Sequence, residues 1–190
     1  MRLDLVIGPN GAGKTTFVEQ ILAPALPGAP FVNADIIAAQ RWPQDPQGHS
    51  YDAAQVAAAT RAALIEAGAS LMAETVFSHP SKLDLIDAAN AAGYTVSLHV
   101  LLVPVELSVH RVTHRVASGG HAVPEDKIRQ RHTRLWPLVV DAVGRCASAH
   151  LWDNSRRDGP TEVALFARGM LIGPARWPTW TPAELTARWP

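Results

Sequence analysis

Cysteine is nearly absent: one residue, Cys146, in 190. That excludes an intramolecular disulfide and suits a reducing compartment, so a cytoplasmic location is expected. Charge of either sign in excess is absent too. Lys plus Arg and Asp plus Glu each number 17, for a formal net charge of zero. A nucleic-acid partner generally calls for a basic surplus, so none is expected. No apolar run approaches the ~20 residues that cross a bilayer. Asn10 and Lys14 interrupt the N-terminal apolar stretch, which excludes the pattern of a secretory leader. Internal repeats and low-complexity tracts are also missing. What remains is a chain with 47% apolar residues, enough for the core of one α/β domain spanning residues 1–190.

The informative segment is Gly8-Pro9-Asn10-Gly11-Ala12-Gly13-Lys14-Thr15, a complete G-x-x-x-x-G-K-[ST] motif. Its context fits the mechanism. Leu3–Ile7 reads as a buried strand, and Thr16–Leu22 as a helix stopped by Pro24. Strand, glycine-rich loop and helix make a triphosphate cradle: backbone N–H groups converge on phosphates, Lys14 reaches the β/γ oxygens and Thr15 ligates magnesium. Gly8 through Thr16 are therefore the nucleotide-binding candidates, with ATP and Mg²⁺ as the implied cofactors.

Downstream, strand and helix patterns alternate, which predicts a parallel sheet with helices on both faces. Strands are expected at 30–33, 70–76, 95–103 and 149–152, giving five with the first. Helices are expected from Ser50 to Gly68, over 81–92 and 105–117, and from Pro124 onward with a kink at Pro137. Residues 41–49 read as a loop. The C-terminal extension, about 156–190, holds a hairpin signal at 163–172 and a Thr181–Glu184 capping box.

Ligands of open parallel sheets collect at the carboxyl ends of the strands. Asp35 and Glu74 fall there. Asp35 is the best candidate for a catalytic base; the competing reading is an N-cap for residues 36–40. Glu74 either holds a magnesium-bound water or a substrate hydroxyl, or is a strand-end acid turned to solvent. Thr75 offers a hydroxyl beside it. A basic segment follows. Arg111 and Arg115 share one helix face, and Arg129, Arg131 and Arg134 lie on the next helix. Between the two helices runs Ser118-Gly119-Gly120-His121-Ala122-Val123-Pro124. Two arginine-bearing helices around a glycine hinge predict a lid, about 105–137, that closes over phosphates. The alternatives are a solvated basic surface and an RNA-binding patch; the lack of interleaved aromatics beyond Trp136 and the zero net charge stand against the second. His110 and His114 lack the glutamate and third ligand of a zinc site, and Cys146 reads as core.

No N-K-x-D and no L-S-G-G-Q stretch is present, which argues against a GTPase and a transporter ATPase. The order of motifs resembles the zeta toxin domain family. Gly8–Thr15 matches its phosphate loop, Asn33-Ala34-Asp35 its N-D element, Ala73-Glu74-Thr75 its E-G-T element, and Arg115 its arginine before the lid. The resemblance, over roughly residues 1–155, implies a compact branch of bacterial P-loop kinases that phosphorylate the amino-sugar 3′-hydroxyl of UDP-N-acetylglucosamine, with an antitoxin as a partner. It implies Asp35, Lys14 and Arg115 as catalytic residues, and Glu74, Thr75, His121, Arg129 and Arg131 at the substrate. His121 stands where the family often has arginine. The expected fold is a three-layer P-loop kinase with a mostly parallel five-stranded sheet and a helical lid. Alternative readings are a kinase of another hydroxyl (a free sugar, a drug, an RNA end) or a nucleotide-dependent switch that binds a protein.

Overall fold

The structure is a computed structural model that describes residues 1–117 and 123–190. Its centre is β1 (Arg2–Ile7), whose apolar residues face both ways because successive side chains alternate across a sheet. Leu3, Leu5 and Ile7 enter one core cluster and Val6 the other. On either side of β1 lie β3 (Leu71–Thr75) and β4 (Thr95–Leu102), both parallel to it. β2 (Phe31–Val32) pairs with β3, and β5 (Ser148–Asp153) pairs with β4, again in parallel.

The sheet has seven strands rather than five, in the order β2-β3-β1-β4-β5-β6-β7. The extra two, β6 (Thr161–Ala167) and β7 (Met170–Leu171), run antiparallel. They come from the hairpin signal in the C-terminal extension, which adds to the edge of the sheet. Arg168 and Gly169 at the turn both have positive φ, 48° and 78°, the geometry that a two-residue hairpin needs to match strand twist.

Helices cover both faces. α1 (Lys14–Phe17) begins directly at the glycine loop, two residues before the predicted start. It widens into a π-helical turn at Val18–Leu22 and closes as α2 (Ala23–Ala25), which contains Pro24. Phe17, Val18 and Leu22 pack with Val6, Met72 and Leu101 on this face. The opposite face carries α4 (Ser50–Glu66), α5 (Leu83–Ala91), α7 (Glu125–Arg145) and α8 (Ala183–Arg188). α3 (Ala34–Arg41) follows β2, and α6 (Val105–Ala117) follows β4. α7 runs through Pro137 as one helix. The Thr181 capping box does not form: Pro182 occupies the cap position, and the Thr181 hydroxyl is buried with no hydrogen-bond partner among the described residues.

Candidate active site

Residues 8–13 turn from the carboxyl end of β1 into α1. Gly8, Gly11 and Gly13 cannot be replaced without strain. Gly13 caps α1 at φ 83°, and a Cβ there would sit 2.7 Å from Asn154 Nδ2. Gly11 has φ 71°, and its Cβ would lie 2.9 Å from the Ser108 carbonyl. The loop is held from outside by its carbonyls. Asn154 Nδ2 donates to Ala12 O at 2.7 Å, Ser108 Oγ donates to Asn10 O, and Arg111 Nη1 donates to Asn154 O at 2.9 Å. Anchoring the carbonyls outward leaves the loop N–H groups for phosphate oxygens. Arg111 thus braces the loop instead of serving a lid.

Beside the loop, at the carboxyl ends of β1 and β3, lies a cleft of about 420 Å³. Lys14, Thr15, Asp35, Glu74, Arg115 and Arg131 all line it. Lys14 is buried and its Nζ donates to Pro9 O at 3.0 Å. Burial pulls its ammonium below the usual lysine value. The carboxylates of Glu74 and Asp35 oppose that shift, and the charges of Arg115 and Arg131 reinforce it. Two acids and two arginines thus share one cleft with the Lys14 ammonium.

Glu74 is not turned to solvent. Its Oε2 accepts from Thr15 Oγ1 at 2.8 Å and from Asn33 Nδ2 at 2.6 Å, and its Oε1 lies 3.8 Å from Lys14 Nζ. The Thr15 hydroxyl and the Glu74 carboxylate present two hard oxygen donors side by side, the donor type that magnesium takes. The residues present therefore fit that ion. Asn33 also settles the capping question at α3. Its Oδ1 accepts from Asp35 N at 2.7 Å and Ile36 N at 3.3 Å, so Asn33 is the N-cap and Asp35 stands exposed in the first turn, facing the cleft.

Among the nine nucleotide-binding candidates, Asn10, Gly11, Lys14 and Thr15 line the cleft. Gly8, Pro9, Ala12 and Gly13 build the loop behind them, and Thr16 is exposed on α1. Thr75 lines the cleft beside Glu74. Arg129 does not. Its guanidinium pairs instead with Glu106 at 2.6 and 2.8 Å and with Glu125 at 2.8 Å on the exposed surface. His121 and the Gly119–Gly120 hinge lie outside the described residues. The sequence reading missed Phe77, a fully buried cleft residue with φ 60°. An aromatic side chain rarely adopts that conformation, and such strain gathers at ligand sites. It also missed Asn33 as the bridge between cap and carboxylate, a role that only the side chain's surroundings disclose.

Residues 3–138 match the family model AAA_33, described as AAA domain. The chain belongs to this family. An uncharacterized protein of Haemophilus influenzae is 29% identical over 132 residues, covering 66% of this chain and 88% of its own length. Among solved structures, a chain of the AvrRxo1-ORF1:AvrRxo1-ORF2 complex with sulphate ions superposes with a TM-score of 0.72 at 18% identity, covering 98% of this chain. The same complex has been solved with ATP, and that chain superposes with a TM-score of 0.70. This chain spans 62% of the length of those AvrRxo1 chains. A chain of the PezAT chromosomal toxin-antitoxin system of Streptococcus pneumoniae superposes with a TM-score of 0.64 at 17% identity, covering 87% of this chain and 72% of its own length. These likenesses show the fold: an α/β P-loop kinase-like domain.

Proposed function

We propose that this chain is an ATP- and magnesium-dependent phosphotransferase acting on a hydroxyl of a small molecule, with UDP-N-acetylglucosamine as the first acceptor to try. The observation that carries the reading is the 420 Å³ cleft lined at once by a phosphate-loop lysine, a pair of oxygen donors, an exposed carboxylate and two arginines. Phosphoryl transfer needs that set and little else. Lys14 and the loop N–H groups hold the β/γ-phosphates. Thr15 and Glu74 would hold magnesium, which supplies charge neutralisation at the phosphates when bound. Asp35 takes the proton of the acceptor hydroxyl as its oxygen bonds to the γ-phosphorus and the bond to the ADP oxygen breaks. Thr75 positions the acceptor, and Arg115 and Arg131 stabilise the charge on the transferring group.

The test is incubation with ATP, magnesium and UDP-N-acetylglucosamine, read by mass spectrometry. The expected product carries one added phosphoryl group, and Lys14→Ala abolishes it. If a panel of sugar nucleotides yields only ADP and free phosphate, that acceptor class is wrong. A neutralising partner protein belongs to the same reading. Its support is that the structural relatives come from a two-protein complex and from a toxin-antitoxin system.

A further inference from the structure

A second cavity, of about 460 Å³, lies between α4, β3 and α5. It adjoins the catalytic cleft, because Glu74, Thr75 and Lys82 line both. Its origin is legible in α4. Ala53, Ala57 and Arg61 recur every four residues on the buried face of that helix, flanked by Ala58 and Ala62. Ala58 and Ala62 present only methyl groups to the space between α4, β3 and α5, which leaves a groove unfilled. Into this small-residue face the sequence places one arginine.

Arg61 is 8% exposed, and its Nε is buried with no hydrogen-bond partner among the described residues. Lys82 reaches the same cavity from the turn before α5, with no ion pair of its own among the described residues. Glu66 and Asp84 also line the cavity, yet neither pairs with Arg61 or Lys82. Burial lowers the Arg61 guanidinium from its usual value. Burial and then the Arg61 charge lower the Lys82 ammonium, as two cations sharing one space should. A buried cation without a partner is costly unless something completes it.

We propose that the groove between α4 and α5 is a phosphate subsite for the acceptor, in which Arg61 and Lys82 together hold a phosphate ester carried by the molecule whose hydroxyl is phosphorylated in the adjoining cleft. The acceptor assignment rests on the phosphotransferase reading; the anion site itself does not. A phosphate monoester carries about −1.5 to −2 charges at neutral pH and has oxygens enough to engage both cations at once. Arginine adds a fork of donors, including the Nε–H that lacks an acceptor. The groove meets the cleft at Glu74, Thr75 and Lys82, which line both, so one acceptor can place its hydroxyl by Asp35 and its phosphate at Arg61.

The test uses the full chain labelled with nitrogen-15 arginine, with the phosphate loop saturated by magnesium-ADP. The Arg61 Nε–H resonance is identified by its loss in Arg61→Lys. Inorganic phosphate and UDP are expected to shift that resonance, while uncharged N-acetylglucosamine does not. In Lys82→Met the phosphate dissociation constant should rise about tenfold, the loss of one charge-assisted contact. A resonance unmoved by phosphate into the tens of millimolar overturns the proposal. So does an equal response to N-acetylglucosamine, or an unchanged phosphate affinity in Lys82→Met. The titration requires no phosphoryl transfer, so its failure is separate from a failure to find the phosphorylated product.

Discussion

Asp35 and Asn33 sit two residues apart: Asn33 holds the N-cap that is the competing reading of Asp35, and Asp35 is the proposed base. Asp35→Asn removes a proton acceptor and keeps the shape. The Asp35 side chain makes no hydrogen bond or ion pair among the described residues, while Asn33 caps the helix. The stability cost should be limited to the lost carboxylate–helix dipole interaction, about 0.3–1 kcal/mol, or a few degrees of melting temperature at ~2–4 °C per kcal/mol for a domain of this size. Phosphoryl transfer should fall by roughly 10²-fold or more. Asn33→Ala reverses the pattern. It strips the acceptor from two helix N–H groups and the 2.6 Å donor from the Glu74 carboxylate. The cap alone is worth about 0.5–2 kcal/mol, and the lost carboxylate bond adds about 1 kcal/mol. Denaturant titration and single-turnover transfer, run on both variants, check the split. Near-full activity in Asp35→Asn would remove it as the base. Unchanged stability in Asn33→Ala would refute the capping account.

Arg131→Ala should lower the transfer rate on the order of 10²-fold, as expected for a cation facing the transferring phosphoryl group. Arg129→Ala, already bonded to Glu106 and Glu125, should leave the rate within about twofold of wild type, since exposed ion pairs contribute little; steady-state kinetics distinguish the two. A second expectation concerns pH. Burial holds His99 below its usual value, against the opposing pull of Asp4, whose Oδ1 lies 3.0 Å from His99 Nε2. For Asp4, burial pushes its carboxyl up, but the hydrogen bonds to His99 and Arg2 outweigh that and lower it. Both groups therefore bind protons more readily unfolded than folded. Their contribution should be full above about pH 6.5 and decline as pH falls, first for His99 and then, below about pH 4, for Asp4. Urea midpoints between pH 4 and 8 should fall with acidification, and a flat profile would contradict it.

The phosphate loop, the parallel core of the sheet and the positions of Asp35 and Glu74 at strand ends were legible because each follows from local pattern: a motif of fixed spacing, apolar runs and turn residues. The strand count was not. β6 and β7 were visible as a hairpin, but whether a hairpin joins a sheet edge depends on what β5 leaves unpaired. Arg129 and Arg131 were indistinguishable in sequence, since both lie on the helix after the lid. Only the placement of Glu106, 23 residues away on α6, decides that one is tied up. Arg61 was passed over for the same reason. An arginine in an alanine-rich helix looks like a solubilising residue until its neighbours are known to be the sheet.

The phosphate loop is completed from outside the family-matched segment, which ends at residue 138. Asn154, just past β5, donates to the Ala12 carbonyl at 2.7 Å and lies where any Cβ on Gly13 would fall. Its own carbonyl accepts from Arg111 on α6, so one residue links β5, α6 and the loop. Asn154→Ala leaves the Arg111 contact, which uses the backbone, and deletes only the bond to the loop. A net hydrogen bond of about 0.5–1.5 kcal/mol corresponds to roughly 2- to 10-fold in affinity. Calorimetric titration with ATP and magnesium should show that loss while the unfolding midpoint barely moves, because the side chain is only part-buried. The space vacated should also accommodate Gly13→Ala better in the Asn154→Ala background than alone, leaving the φ of 83° as the remaining penalty. Wild-type ATP affinity in Asn154→Ala, or strict additivity of the pair, would show that the loop holds its shape without this brace.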